Sequence, residues 1–191
     1  MKPLAPLLVA LILATPAAAQ SVNPGNQMLE LAGEAQPACV LNTPIATGSN
    51  NTSFTVSGSN SAQVTITQLV DNLSAQSLPS SIELNLPVIC NASHRVIVRS
   101  ANGGLLRAGA APSAARTAQN SEFAEFLVYD VALDWSGQRL ERSSRTGNAV
   151  LASSRPAAGD LRMRIATPAG TGPLIAGQYN DSIVLEFQVA N

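Results

Sequence analysis

Gly177-Gln178-Tyr179-Asn180-Asp181-Ser182-Ile183-Val184-Leu185-Glu186-Phe187-Gln188-Val189-Ala190 is the stretch that decides the fold class. Tyr179, Ile183, Leu185, Phe187 and Val189 share one parity, and Asn180, Ser182, Glu186 and Gln188 take the other. A period of two over so long a run predicts a β-strand with one buried and one wetted face.

The same alternation recurs upstream. Ile82, Leu84, Leu86, Val88 and Cys90 oppose Glu83 and Asn85, and Leu127, Tyr129, Val131, Leu133 and Trp135 oppose Asp130 and Asp134. Leu161, Met163 and Ile165 alternate with Arg162 and Arg164, Val96 and Val98 with Arg95 and Arg99, and Val64 and Ile66 with Thr65 and Thr67. Phe54 and Val56 make a shorter strand. Breakers separate these runs: Gly48 to Asn51, Ser57 to Asn60, Asn102-Gly103-Gly104, Ser136-Gly137, Pro156 to Gly159, and Pro168 to Pro173. Asn-Gly is a hairpin signal, because both positions tolerate positive φ. The Ala-rich segment Ala108 to Asn120 reads as a loop. Short strands spaced by turns, with no long helical pattern between them, predict an all-β Greek-key sandwich.

The chain opens with Met1-Lys2, an apolar run from Leu4 to Leu13, and Pro16-Ala17-Ala18-Ala19-Gln20. This is the pattern of a secretory signal peptide over residues 1–19, cleaved after Ala19. Residues 20–38 then form an N-terminal extension and residues 39–191 one domain. Lys2 is the only lysine, so the exported part carries arginine alone against a slight acidic excess. That balance offers no electrostatic footprint for nucleic acid or anionic lipid. Charged residues make up only 12%, while a hydrophobic content of 46% argues against disorder for most of the chain.

Cys39 and Cys90 are the only cysteines. An exported pair in an oxidising compartment predicts one disulfide. Two thiols and one imidazole fall short of the usual four-ligand metal set, and the Cys-x-x-Cys spacing of thiol catalysis is absent. The expectation is therefore no metal and no cofactor.

In the extension, Gln27-Met28-Leu29-Glu30-Leu31-Ala32-Gly33-Glu34-Ala35-Gln36, one parity carries Leu29, Leu31, Gly33 and Ala35. Glu30, Glu34 and Gln36 lie on the other, with Met28 and Ala32. A strand reading is open, and so is a helix reading, since Met28, Leu31, Ala32 and Ala35 fall at i, i+3, i+4 and i+7.

Three pieces in order resemble a known family: Val88-Ile89-Cys90-Asn91 leading into Val96 to Leu105; Leu127-Val128-Tyr129-Asp130-Val131-Ala132-Leu133-Asp134-Trp135; and Ala176-Gly177-Gln178-Tyr179-Asn180-Asp181-Ser182-Ile183-Val184-Leu185. The family is the spore coat protein U-like domain, the pilin domain of archaic chaperone–usher pili. The resemblance covers residues 82–105 and 126–189, and Cys39 matches the usual first cysteine. Residues 43–80 lack the expected aromatic-glycine signature.

The resemblance implies an immunoglobulin-like β-sandwich missing its final strand, with a hydrophobic groove left open. A periplasmic chaperone lends a strand there, an outer-membrane usher exports the subunit, and a neighbouring copy supplies its N-terminal extension in the fibre. It thus implies a structural subunit of a secreted surface fibre, with Leu29, Leu31, Gly33 and Ala35 as the donor residues. A stand-alone envelope or coat protein of the same fold, or a glycan-binding adhesin, is the alternative.

No catalytic constellation emerges. His94 is the only histidine, and nothing local gives it a nucleophile and an orienting acid. Asp130 and Asp134 read as solvated strand charges. Trp135, Tyr129 and Tyr179 could line a sugar site, but their parity assigns them to the core. Arg162 and Arg164 share an exposed face. Asn51-Thr52-Ser53 and Asn91-Ala92-Ser93 match the glycosylation sequon. Neither an enzyme nor a small-molecule substrate is expected.

Overall fold

Ser80–Cys90, β5, is the spine of the molecule, and its alternation is realised directly. Ile82, Leu84, Val88 and Cys90 are buried, while Glu83 and Ile89 face solvent. The computed structural model describes residues 28–112 and 123–190. The signal-peptide reading of residues 1–19 and most of the Ala-rich segment fall outside them. The chain divides into two units, Met1–Ala35 and Gln36–Asn191. In the first, the described residues from Met28 onward carry no regular structure, and Met28, Leu29 and Leu31 are exposed.

The second unit is nearly all β. Its other strands are β1 (Cys39–Leu41), β2 (Ile45–Asn50), β3 (Thr52–Gly58), β4 (Ser61–Ile66), β6 (His94–Ser100), β7 (Leu105–Arg107) and β8 (Phe126–Leu127), then β9 (Asp130–Trp135), β10 (Gln138–Ser143), β11 (Ala149–Ser153), β12 (Ala157–Thr167), β13 (Tyr179–Asn180) and β14 (Ile183–Val189). The largest sheet runs β1-β5-β12-β9-β10, with β2 beside β1 on the same edge of β5. A second sheet runs β11-β6-β14, and a third, smaller one β13-β7-β8. β3 and β4 form a separate hairpin. All these ladders are antiparallel.

The chain crosses repeatedly between the two main sheets, from β5 to β6, from β10 to β11 and back to β12. The arrangement is sandwich-like, and its core is built from the inward rows of both sheets. Ile82, Val88, Leu133 and Leu161 come from one, and Val96, Val98 and Leu151 from the other. Pro87 sits inside β5 without breaking it. Its carbonyl accepts from Asn42 N–H, so its missing N–H points to the same side, between the segments of β5 that pair β1 and β2. That gap is where a strand tolerates proline.

Several expectations from the sequence need correction. Gly48, Ser49 and Asn50 belong to β2, and the turn begins at Asn51, which takes φ 55°. Asn102-Gly103 closes no hairpin, because β6 pairs β11 and β14 whereas β7 pairs β8 and β13. The Pro156–Gly159 breaker is spent at Pro156, and β12 starts at Ala157. Two of the long predicted strands are each split, at Val128-Tyr129 and at Asp181-Ser182. Ser136-Gly137 is a two-residue hairpin turn, with φ 53° and 74° joining β9 to β10.

Candidate functional site: an open apolar groove

β14 is where pattern and burial part company. Ile183, Leu185 and Phe187 pack against the core, yet all three are only half-buried. The cause is on their open side. β14 pairs β6 along one edge, from Ile183↔Ser100 to Val189↔His94. Among the described residues, no strand pairs with the other edge. Ser182 and Ala190 direct backbone groups toward the β6 side, their carbonyl and amide respectively bonding Ala101 N–H and the Ser93 carbonyl. The two-residue period then points the N–H and C=O groups of Ile183, Leu185, Phe187 and Val189 at the unpaired edge.

A groove of about 1100 Å³ opens there. Its floor is Ile82, Leu84 and Leu86 of β5 with Met163 and Ile165 of β12. Its walls are β14 on one side, and Val40 and Leu41 of β1 with the β3–β4 hairpin on the other. Val40 is 55% exposed and Leu41 37%. Among the described residues, Asp181 is the only charged one along it, and residues 35–70, which build much of one wall, contain no charge at all. An unpaired strand edge beside an apolar trough is what β-augmentation requires: backbone groups supply affinity and alternate side chains fill the trough.

Asp181 is not free to act on a ligand. Its Oδ2 accepts from Tyr129 Oη at 2.6 Å and from the Ser100 hydroxyl, and its Oδ1 accepts from the amides of Asn102 and Ser182 at 2.9 and 2.8 Å. Burial, reinforced by the bond to Asp181, pushes the Tyr129 hydroxyl well above the usual tyrosine range. The carboxylate therefore holds the break between β13 and β14 against the end of β6 and the start of β9. Tyr179 is placed similarly, its hydroxyl donating to the carbonyls of Ala124 and Ile175.

At the far end of β14, Cys39 and Cys90 are bonded, as cross-strand neighbours of β1 and β5 with Cα atoms 4.1 Å apart. His94 joins them, with ligand-type atoms of all three within 4.8 Å of one another. The sulfurs are spent in the disulfide, and both imidazole nitrogens are engaged. Nδ1 donates to the Ala92 carbonyl at 2.9 Å and Nε2 accepts from Trp135 Nε1 at 2.7 Å. Trp135 meets Phe187 edge-on at 6.4 Å. Histidine, tryptophan and disulfide thus form a packed knot between the sheets.

The chain matches no family model, and no curated protein or solved structure is similar enough to count as a match.

The remaining residues singled out from the sequence take structural places. Asp130 and Asp134 are exposed, Tyr129 and Trp135 are buried, and Arg164 lies 3.8 Å from Glu83 on an exposed face. Both sequon asparagines are used internally. Asn51 Nδ2 donates to the Gln68 carbonyl, while Asn91 accepts from Ala38 N–H and donates to the Gln36 carbonyl. Leu29, Leu31, Gly33 and Ala35 lie in no strand, and a Cβ on Gly33 would meet none of the described residues within 4 Å. The resemblance implied an open groove, but which residues line it was not read from the sequence, because its floor is made of residues that look like ordinary core.

Proposed function

We propose that this chain is a structural subunit of a secreted surface fibre, with an immunoglobulin-like Greek-key sandwich whose missing last strand is supplied by another polypeptide. The observation that carries this reading is the apolar groove beside the unpaired edge of β14. A strand added there would cover the half-buried row of Ile183, Leu185 and Phe187 and satisfy the backbone groups that point with them. Uncovered, such an edge is an aggregation template, so an assembly route that keeps it occupied follows naturally. In the resembled pilins that route is a periplasmic chaperone, an outer-membrane usher and then the extension of the neighbouring copy. The apolar row Leu29, Leu31, Gly33 and Ala35 is this chain's own strand to give.

The test is co-expression of the full chain with a periplasmic chaperone and an outer-membrane usher of the resembled pili, followed by gels of unboiled samples. Strand donation predicts ladders resistant to detergent that collapse on boiling. It also predicts that Leu31→Asp abolishes the ladders while leaving the chaperone complex intact. A monomer under all conditions would favour a stand-alone envelope or coat protein. Glycan binding by a monomer that never forms ladders would favour an adhesin.

A further inference from the structure

β14 offers any added strand two rows. Ile183, Leu185, Phe187 and Val189 form one parity, and Val184, Glu186 and Gln188 form the outward one. Each outward residue has a cross-strand neighbour on β6: Val184 stands beside Arg99, Glu186 beside Ile97, and Gln188 beside Arg95. Glu186 is the sole charge in the outward row, held by Arg99 at 3.0 Å and by the Gln188 amide. Its own backbone groups face β6, so an antiparallel newcomer meets it as a non-hydrogen-bonded pair, the geometry in which side chains come closest.

The extension carries its charges in a matching rhythm. With Leu29, Leu31, Gly33 and Ala35 turned into the groove, Met28, Glu30, Ala32, Glu34 and Gln36 face out. Glu30 and Glu34 flank Ala32 symmetrically, as Val184 and Gln188 flank Glu186. Resting on the strand-donation reading, we propose that Glu186 sets the register, with Ala32 of a second copy's extension opposite Glu186 and the two glutamates opposite Val184 and Gln188. Each glutamate then lies in line with an arginine of β6, Arg99 in one row and Arg95 in the other, about two strand spacings away, comparable to the screening length at about 0.1 M salt. The symmetry makes this true for either strand direction.

The neighbouring registers are each rejected for a definite reason. A two-residue slip puts Glu30 or Glu34 directly opposite Glu186, and like charges so placed repel. A one-residue slip turns both glutamates into the groove, whose only charged lining residue among those described is the already engaged Asp181. A four-residue slip leaves part of the Leu29–Ala35 row beyond Ile183–Val189.

The experiment is a binding titration of a fluorescent peptide of residues 27–36 into the exported protein carrying Leu31→Asp, so that its own extension does not compete. Against Glu186, an Ala32→Glu peptide should bind roughly two- to fivefold more weakly than an Ala32→Gln peptide. The difference should vanish on a Glu186→Gln protein. If the wild-type peptide binds but the coupling to residue 186 appears at Glu30 or Glu34 and not at residue 32, the register is wrong and strand donation stands. If the wild-type peptide does not bind at all, donation by this segment fails and the register fails with it.

Discussion

The hydroxyl of Tyr129 donates to Oδ2 of Asp181 at 2.6 Å, joining the entrance of β9 to the break before β14 across a separation of 52 residues. Asp181 collects the Ser100 hydroxyl and the amides of Asn102 and Ser182 at the same point. This contact fixes where the groove-lining strand begins. Tyr129→Phe should cost about 1.5–3 kcal/mol, the range for hydrogen bonds to a charged group. Asp181→Ala should cost more, because it removes the acceptor shared by the Tyr129 and Ser100 hydroxyls and two backbone amides. Urea melts followed by Trp135, the only tryptophan, measure both.

The same pair predicts alkaline behaviour. Burial and the Asp181 carboxylate raise the Tyr129 hydroxyl above its ordinary value of 10.0, and burial raises Tyr179 as well. The folded protein therefore holds protons that the unfolded chain has released, so stability falls as pH climbs past about 10. Below that value the contribution is fully present. Stability measured from pH 8 upward should decline less steeply in Tyr129→Phe, with the Tyr179 contribution remaining; an unchanged slope would show that Tyr129 does not titrate with unfolding.

Leu185 and Phe187 share a row yet should respond differently. Phe187 packs against Trp135 and lies near His94, whereas Leu185 lines the groove. Phe187→Asp should destabilise the isolated domain by several kcal/mol through a buried charge and lost packing. Leu185→Asp should cost less in stability and, under the strand-donation proposal, act mainly on ladder formation. Glu186→Ser should leave soluble yield unchanged. Equal yields for all three variants would overturn the assigned facing of β14.

Replacing both Cys39 and Cys90 by alanine should cost about 2–5 kcal/mol, the usual loss for a disulfide closing a loop of this size, here a separation of 51 residues. Denaturation of oxidised and double-alanine proteins gives the value. Peptide mapping without reduction should show the Cys39–Cys90 pair.

Gly104 takes φ 155°, and a Cβ there would lie 2.5 Å from Phe126 Cζ and 2.8 Å from the Leu127 carbonyl oxygen. The phenyl ring can swing aside, but the backbone of β8 cannot do so cheaply. Gly104→Ala should therefore destabilise by about 1–3 kcal/mol, as overpacking commonly does. A melting temperature equal to wild type would refute the close approach.

Gly33 is the converse case. A Cβ there meets nothing within 4 Å among the described residues, so Gly33→Val should leave the monomer's melting curve unchanged. If Gly33 enters a neighbour's tight groove, the same change should block ladders by overpacking. Glu30→Gln and Glu34→Gln should still assemble. Normal ladders from Gly33→Val would remove this residue from the donor row.

Strand content was legible wherever an apolar row alternates with charges. β5 and β12 show this best, with Glu83 facing Arg164 across adjacent strands. β2, β7, β10 and β11 were not read. β10 is an edge strand whose Arg139, Glu141 and Arg142 obscure any apolar period, and Ala149–Ser153 buries Ala149, Leu151 and Ser153 while its exposed Val150 and Ala152 are apolar too, so no alternation shows. Turns misled where glycine serves a close approach: Gly104 makes room for Phe126 and closes no hairpin.

By itself, then, the sequence determined the all-β class, the parity of the long strands and the pairing of the only two cysteines, because each follows from local periodicity or from composition. Only the tertiary structure decided that the Ile183–Phe187 row stays half-covered, that β14 has an unpaired edge, and that Asp181 is a structural hub. Whether an inward-facing row finds a lid depends on which strands from distant parts of the chain lie across from it. Alternation along one strand records which side is apolar and carries no information about what covers that side.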